Sequence, residues 1–488
     1  MTSSTTTLQE DFPLPPQRSG KSFWFYTLRT NALVLALLAL LVPISWYAEN
    51  PDRLDPYYAR ILMLIGINVV LAVSLQLING ISGQFSLGHA GFMAVGAYMA
   101  GYPATAYSNE LHDPGAVLLF YVALFVTLGT IGLLLWGLFA LLRLSRRAYG
   151  GAPLLLLLAL LAWFVWDISM AARVTTGQGA PPYLVWSRLI VWIQSGFTWI
   201  LERGTPAAAW VDGHLPEAGR KPVTFLLLLL GGACCAAVAG FLIGLPTLRL
   251  RGDYLAIATL GFSEIIRVVI TNAEPLGRAT GLSVPVYSNV GSGESPEFRI
   301  FPWVFGAALV TTMTIWRLQH SAKGRAIAAV REDEIAAAAV GIDTTHHKVL
   351  AFVIGAFFAG VAGGLFAHYD GYLNPNAFGF IRSIEVVVMV TIGGLGSVWG
   401  AIAAAAVLTW LPEFLRDPGS WIGIVTSAEL PRWLVDSLAA VGENRMVAYS
   451  LLLILIMLAR GGAFGFRRPS FLRWRREPGA PAAGATAS

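Results

Sequence analysis

Long apolar runs, each close to the length of a bilayer crossing, recur along this chain and leave few folds open to it. About 20 apolar residues cover roughly 30 Å of hydrocarbon. Runs of that kind lie at 31–48, 60–78, 85–102, 115–142, 153–172, 223–245, 254–271, 301–318, 349–369, 384–411 and 446–458. The expected fold class is therefore all-α: a polytopic transmembrane helical bundle of about ten or eleven hydrophobic segments, with broken or re-entrant helices. Composition agrees, since a mean hydropathy of +0.64 with only 12% charged residues lies outside the soluble range. A net charge of +5 is compatible with nucleic acid, but the Lys and Arg residues cluster at the ends of apolar runs, where orientation in a membrane needs them. No nucleic-acid site is read here. Cys234 and Cys235 are adjacent within one run and offer neither a disulfide framework nor metal spacing. The first run follows a polar, Pro-containing tail and lacks a cleavage pattern, so 31–48 is expected to be a retained span.

Basic residues set the orientation. Arg18, Lys21 and Arg29 hold the N-terminal tail, 1–30, in the cytoplasm, and counting across puts Arg143, Arg146 and Arg147, then Arg249 and Arg251, then 323–348, on the same side. The count fails if 384–411 crosses once, because the basic tail 461–488 then lies outside. Ile392-Gly-Gly-Leu-Gly-Ser397 interrupts that run, so the chain is expected to turn back there, with Gly393, Gly394 and Gly396 toward the interior. The other expected units are 31–102 (first spans with a Gly-rich break), 103–222 (an inserted helical pair and a Trp-rich interfacial segment carrying Trp186, Trp192 and Trp199), 223–322 (core spans) and 349–460 (final spans).

Asn79-Gly-Ile-Ser-Gly-Gln-Phe-Ser-Leu-Gly-His-Ala-Gly91 forms a second break. Interrupted segments in both halves of a chain suggest a pseudo-symmetric transporter with its path between them. Small residues at helical steps, among them Gly96, Ala97, Gly360 and Gly363, let spans approach closely. Glu264 and Arg267 stand three apart on one apolar helix, and ionisable residues within a span are a functional-site hypothesis by default; a structural ion pair is the competing reading. Gln84, Ser86 and His89 sit in the Gly-rich break and complete the candidate translocation path, although His89 reads equally as a hydrogen-bonded structural imidazole. No catalytic residues, cofactor or metal site are expected.

The segment 323–348, KGRAIAAVREDEIAAAAVGIDTTHHK, is too charged for a span but rich in helix formers. Ile327, Val330, Glu334, Ala337, Ala338 and Gly341 recur on one small, mostly apolar face, with Arg325, Arg331, Glu332 and Asp333 elsewhere. This is expected to be a cytoplasmic docking helix, with Asp343 or Thr344 capping the span that follows.

The segment resembles the coupling segment of ABC importer permeases, with Gly341 one residue later after Glu334 than that pattern has it. Ser82-Gly-Gln-Phe-Ser-Leu-Gly-His-Ala-Gly-Phe92, Leu248-Arg-Leu-Arg-Gly-Asp-Tyr-Leu-Ala-Ile257, Thr259-Leu-Gly-Phe-Ser-Glu-Ile-Ile-Arg267, Gly324-Arg-Ala with Arg331-Glu-Asp-Glu-Ile-Ala, and Gly393-Gly-Leu-Gly-Ser397 follow in order. Together they resemble the LivM-type permease of branched-chain amino-acid ABC importers, over about residues 57–104 and 240–412. The resemblance implies a bacterial inner-membrane permease subunit, not an enzyme. It would pair with a second homologous permease, two cytoplasmic ATPase subunits and a periplasmic or lipid-anchored binding protein, in contact with membrane lipid. It further implies that Arg331, Glu332, Asp333, Glu334 and Gly341 contact the ATPase. Urea or short amides remain an alternative cargo, and a secondary transporter or membrane-embedded enzyme an alternative class. No phosphate-binding Gly-Lys-Ser/Thr loop is present, so the nucleotide belongs to partners.

Overall fold

The computed structural model describes residues 39–41, 55–106, 113–149, 200–201, 203–247, 250, 252–285, 299–416, 447, 450–451 and 454. The two basic tails, the run 153–172 and nearly all of the runs 31–48 and 446–458 and of the Trp-rich segment lie outside these residues. Among the described residues six helices are long and apolar enough to cross a membrane, and the protein is a multi-pass helical bundle.

The first described span, α1 (Pro56–Leu75), starts where Asp55 accepts the Tyr57 N–H at 2.8 Å and Pro56 supplies a preset first residue. It ends in a π-helical turn, Gln76–Ile81, which loosens the helix at Asn79-Gly80. The chain then runs extended through 83–88 before α2 (His89–Ala106) begins. The run expected at 85–102 is therefore extended at its start. This non-helical backbone is packed within the protein: Leu87 N–H donates to Thr259 Oγ1, and Ala90 N–H to Ser383 Oγ. Covering of this kind is what non-helical backbone at membrane depth requires.

After α3 (Pro114–Tyr149) and α4 (203–214) come α5 (Glu217–Thr247), α6 (Asp253–Asn272) and α7 (Phe301–His320). Two short helices, α8 (Ala322–Glu332) and α9 (Glu334–Ala339), lead into the long α10 (Thr344–Asp370), and α11 (Phe380–Gly393) and α12 (Val398–Arg416) complete the described bundle. At the opposite end from α8 and α9, β1 (Leu282–Ser283) pairs antiparallel with β2 (Tyr372–Leu373), Leu282 opposite Leu373. Tyr98 donates its hydroxyl to the Leu373 carbonyl at 2.9 Å and ties this small ladder to α2.

The core is α10 against α2 and α5. Glycines make that approach possible. A Cβ at Gly96 would collide with the Gly360 backbone, and one at Gly363 with the Met93 carbonyl. The small-residue steps read from the sequence are thus helix-packing faces. On the other side α1 packs against α12, α7 and α10.

The interruption expected within 384–411 is present at Gly394–Ser397, where Gly394 (φ 101°) and Gly396 (φ 90°) take conformations that favour glycine. The limbs on either side, 19 residues each at Pro375–Gly393 and Val398–Arg416, are both long enough to cross.

The segment 323–348 departs from a single docking helix. Asp333 is extended (φ −154°, ψ 112°), ends α8 and caps α9 by accepting the Ile335 and Ala336 N–H groups at 2.8 and 3.1 Å. A short acceptor side chain that serves the next helix's amides competes with helix continuation, which is the reason for the break. The expected apolar face is also not free: Ile327, Val330 and Ala337 are buried in the protein itself. Gly341 (φ 85°) ends α9, with its N–H on Ala338 O and the Ile342 N–H on Ala337 O. Asp343 caps α10 through the His346 N–H, as expected.

Candidate functional site

Two clusters at opposite ends of the bundle gather most of the residues singled out above. The first is at the end that carries α8 and α9, where α8, the π-turn after α1 and the α11–α12 turn converge. Arg331 is exposed, yet its Nη1 donates to the Gly80 carbonyl at 2.5 Å, and its Cγ lies where a Cβ on Gly83 would meet it at 2.6 Å. Gly80 in turn abuts Gly396, whose amide nitrogen would be 2.6 Å from a Gly80 Cβ. Gln76 Nε2 donates to Gly394 O at 2.8 Å, and Gln319 Nε2 to Gly396 O at 3.2 Å. Glu334 forms an ion pair with Lys348 at 2.8 Å, closing α9 onto the first turn of α10. Exposed on this assembly are Glu332, Asp333 and Gly341 together with two residues not singled out from the sequence, Ile335 and Val340, at 75% and 77% exposure.

The second cluster is an open cleft of about 680 Å³ between α6 and α11, nearer the end that carries β1 and β2. Arg267 Nε binds Glu264 at 2.7 Å and its Nη1 reaches Asn376 Oδ1 at 3.2 Å. Across the cleft Arg382 binds Glu385 at 2.9 Å and donates to Asn68 Oδ1 at 2.8 Å, while the Asn68 amide donates to Thr409 on α12. Each carboxylate and guanidinium pair is spaced three residues apart on a helix, so each half of the cleft is close to neutral. Burying such side chains against lipid costs roughly 2.5–3.5 kcal/mol each. A face holding two such pairs must therefore meet protein or water. Sequence reasoning found Glu264 and Arg267 and missed Arg382 and Asn376. Arg382 lies two residues before the apolar run and reads as an ordinary polar flank.

Gln84, Ser86 and His89 do not join this cleft. Gln84 is buried and its Nε2 donates to Lys348 O at 3.3 Å, beside the first cluster. Ser86 is clamped by Asn79, whose side chain accepts its N–H at 3.1 Å and donates to its carbonyl at 3.4 Å. That side chain substitutes for a neighbouring strand along the extended stretch. His89 is wholly buried, with Nε2 2.7 Å from Ser74 Oγ on α1. These residues hold the break in shape. Among the described residues no three His, Cys, Asp or Glu side chains gather as metal ligands do.

Residues 190–459, more than half the chain, match the family described as branched-chain amino acid transport system / permease component. The chain is similar to the high-affinity branched-chain amino acid transport system permease protein LivM of Salmonella typhimurium, 40% identical over 207 residues, covering 37% of this chain and 49% of the relative. It is also similar to LivH, a permease protein of the same description from Escherichia coli, 35% identical over 106 residues (22% of this chain, 34% of the relative). A third relative is the autoinducer 2 import system permease protein LsrC of Photorhabdus luminescens, 28% identical over 213 residues (41% of this chain, 60% of the relative). The chain spans about half the length of the LivM relatives it matches. No solved structure matches.

Proposed function

This chain belongs to the family of permease components of branched-chain amino acid transport systems, and on that premise we propose that it forms one half of the translocation path of an ATP-driven importer in a bacterial inner membrane. It is not an enzyme. A second, homologous permease completes the path, two cytoplasmic ATPase subunits drive it, and a periplasmic or lipid-anchored binding protein delivers the cargo. Similarity to both LivM and LivH supports a paired arrangement.

One observation carries the reading. The short helix α9, between α8 and α10, presents Ile335 and Val340 almost fully exposed. Large apolar side chains left exposed on an otherwise charged segment suit a protein partner. Glu332, Asp333 and Gly341 flank them, whereas Arg331, itself exposed, and Glu334 also bond within the subunit.

The cleft between α6 and α11 lies on the path. Its two guanidiniums and two carboxylates match the two ends of a zwitterion better than an uncharged amide, which favours a branched-chain amino acid over urea. The test is purification of the tagged chain from its native membrane. Wild type is expected to carry ATPase subunits with it, and Ile335→Asp to lose them while staying membrane-inserted. Retention of the ATPases by Ile335→Asp would remove α9 from the docking role.

A further inference from the structure

The two interruptions of the bundle, far apart in sequence, meet beside α8, and one side chain of α8 bonds to the first and lies next to the second. The Arg331 Nη1 that donates to the Gly80 carbonyl stands 3.4 Å from the position of a Cβ on Gly396. Gly80 O lies within the last turn of the π-helical segment, where carbonyls lack partners from the following turn, so a cation there satisfies an orphan acceptor and the negative end of the helix at once. Gly80 and Gly396 are in backbone contact, and a Cβ on either Gly80 or Gly83 would meet the partner that now occupies the space. Gln76 and Gln319 tie the Gly394–Gly396 turn to α1 and α7 from the other sides.

We propose that Arg331 is the positioning residue through which movement of the coupling segment reaches both interrupted helices together, rather than a contact to the ATPase. This rests on the importer reading. Ile327 and Val330 fix α8 on the bundle, and Asp333 joins α8 directly to α9, so α9 presents the docking surface while Arg331, on the last turn of α8, bonds to the first glycine turn and lies beside the second. A displacement of that turn by the partner acts on the Gly80 carbonyl, and through the Gly80–Gly396 contact on the start of α12. The chain upstream of the first break continues into α1, and the chain downstream of the second into α12, which carry Asn68 and Thr409 beneath the cleft between α6 and α11. Arg331 thereby connects one end of the path to the other.

The test uses the whole complex, copurified with its ATPase subunits and reconstituted in liposomes with binding protein and labelled leucine, reading leucine imported per ATP hydrolysed. Arg331→Gln is expected to keep the ATPases bound and hydrolysing while that ratio falls about tenfold or more, the effect of losing one charge-assisted bond. Arg331→Lys, which keeps a cationic donor, is expected to restore part of the ratio. Gln319→Leu removes one tie to the same turn without touching Arg331, and a smaller fall is expected; it serves where Arg331→Gln does not accumulate. An unchanged ratio in Arg331→Gln, or in Gln319→Leu where that variant stands in, overturns the proposal. Loss of ATPase binding in Arg331→Gln also overturns it, by returning Arg331 to the docking surface. Failure of wild type to copurify ATPases or to import leucine would instead overturn the importer reading itself.

Discussion

The cluster around α8 and the cleft between α6 and α11 use similar polar side chains to opposite ends. In the first, Arg331, Gln76 and Gln319 bond to backbone carbonyls of segments distant in sequence, and glycines bring those segments into contact. In the cleft Glu264, Arg267, Arg382 and Glu385 are paired to helix neighbours three residues away and remain partly exposed. A side chain bonded to distant backbone fixes the relation of one element to another. One bonded to its own helix neighbour is held ready and can exchange that neighbour for a ligand. The burial of the spans follows the same division: 83% of the apolar window of α1, including its π-turn, is buried, against 28% for α6.

Replacing Gly80 breaks the comparison most severely. A side chain there meets the Gly396 amide and Gln76, and since backbone is one of the two obstacles, relief by rotamer change is incomplete. Gly80→Val is expected to cost about 3 kcal/mol or more, as overpacking does at the upper end of its range, and to lower the Tm of the detergent-purified subunit; an unchanged Tm would mean that the two turns are not in contact. Next in size, Arg382→Gln frees Glu385 and unties Asn68 from α11. Leucine uptake is expected to fall roughly 10-fold, an effect of 1.4 kcal/mol, with ATPase binding unchanged, because the cleft is at the other end of the molecule. Equal losses of uptake and of ATPase binding would erase the distinction between the two regions. Smallest, Gly341→Ala places a methyl group in open space but at φ 85°. About 1 kcal/mol is expected from the left-handed backbone alone, visible as a slight fall in Tm and a partial loss of ATPase retention.

How much of this was legible in the sequence depended on whether the information was local. The spans at 60–78, 223–245, 254–271 and 349–369, the Gly-rich interruptions and the helix start at Asp343 come from periodicity, length and capping, and they stand among the described residues. The composition of 323–348 signalled helix, yet Asp333 divides it, because an aspartate can serve equally as a helix residue and as the cap of the next helix. The bond from Arg331 to the Gly80 carbonyl was not legible. Nothing in the spacing of Gly80, Arg331 and Gly396 encodes their meeting, which arises only when α1, α8 and α11 are assembled. Glu264 and Arg267 stood out as charges within an apolar run, whereas Arg382, with an equivalent position in the cleft, was hidden by its place at the edge of one. Gln76 and Asn79 carried a weak signal: two amides three apart near the end of a span, both of which bond to backbone at the breaks.

Uptake of labelled leucine into proteoliposomes holding this chain with its copurifying subunits, measured with and without ATP and added binding protein, tests the importer reading most directly. Accumulation that requires both ATP and the binding protein is the expected result. Uptake that proceeds without ATP would contradict the account, because α9 and the cluster around α8 would then have nothing to transmit.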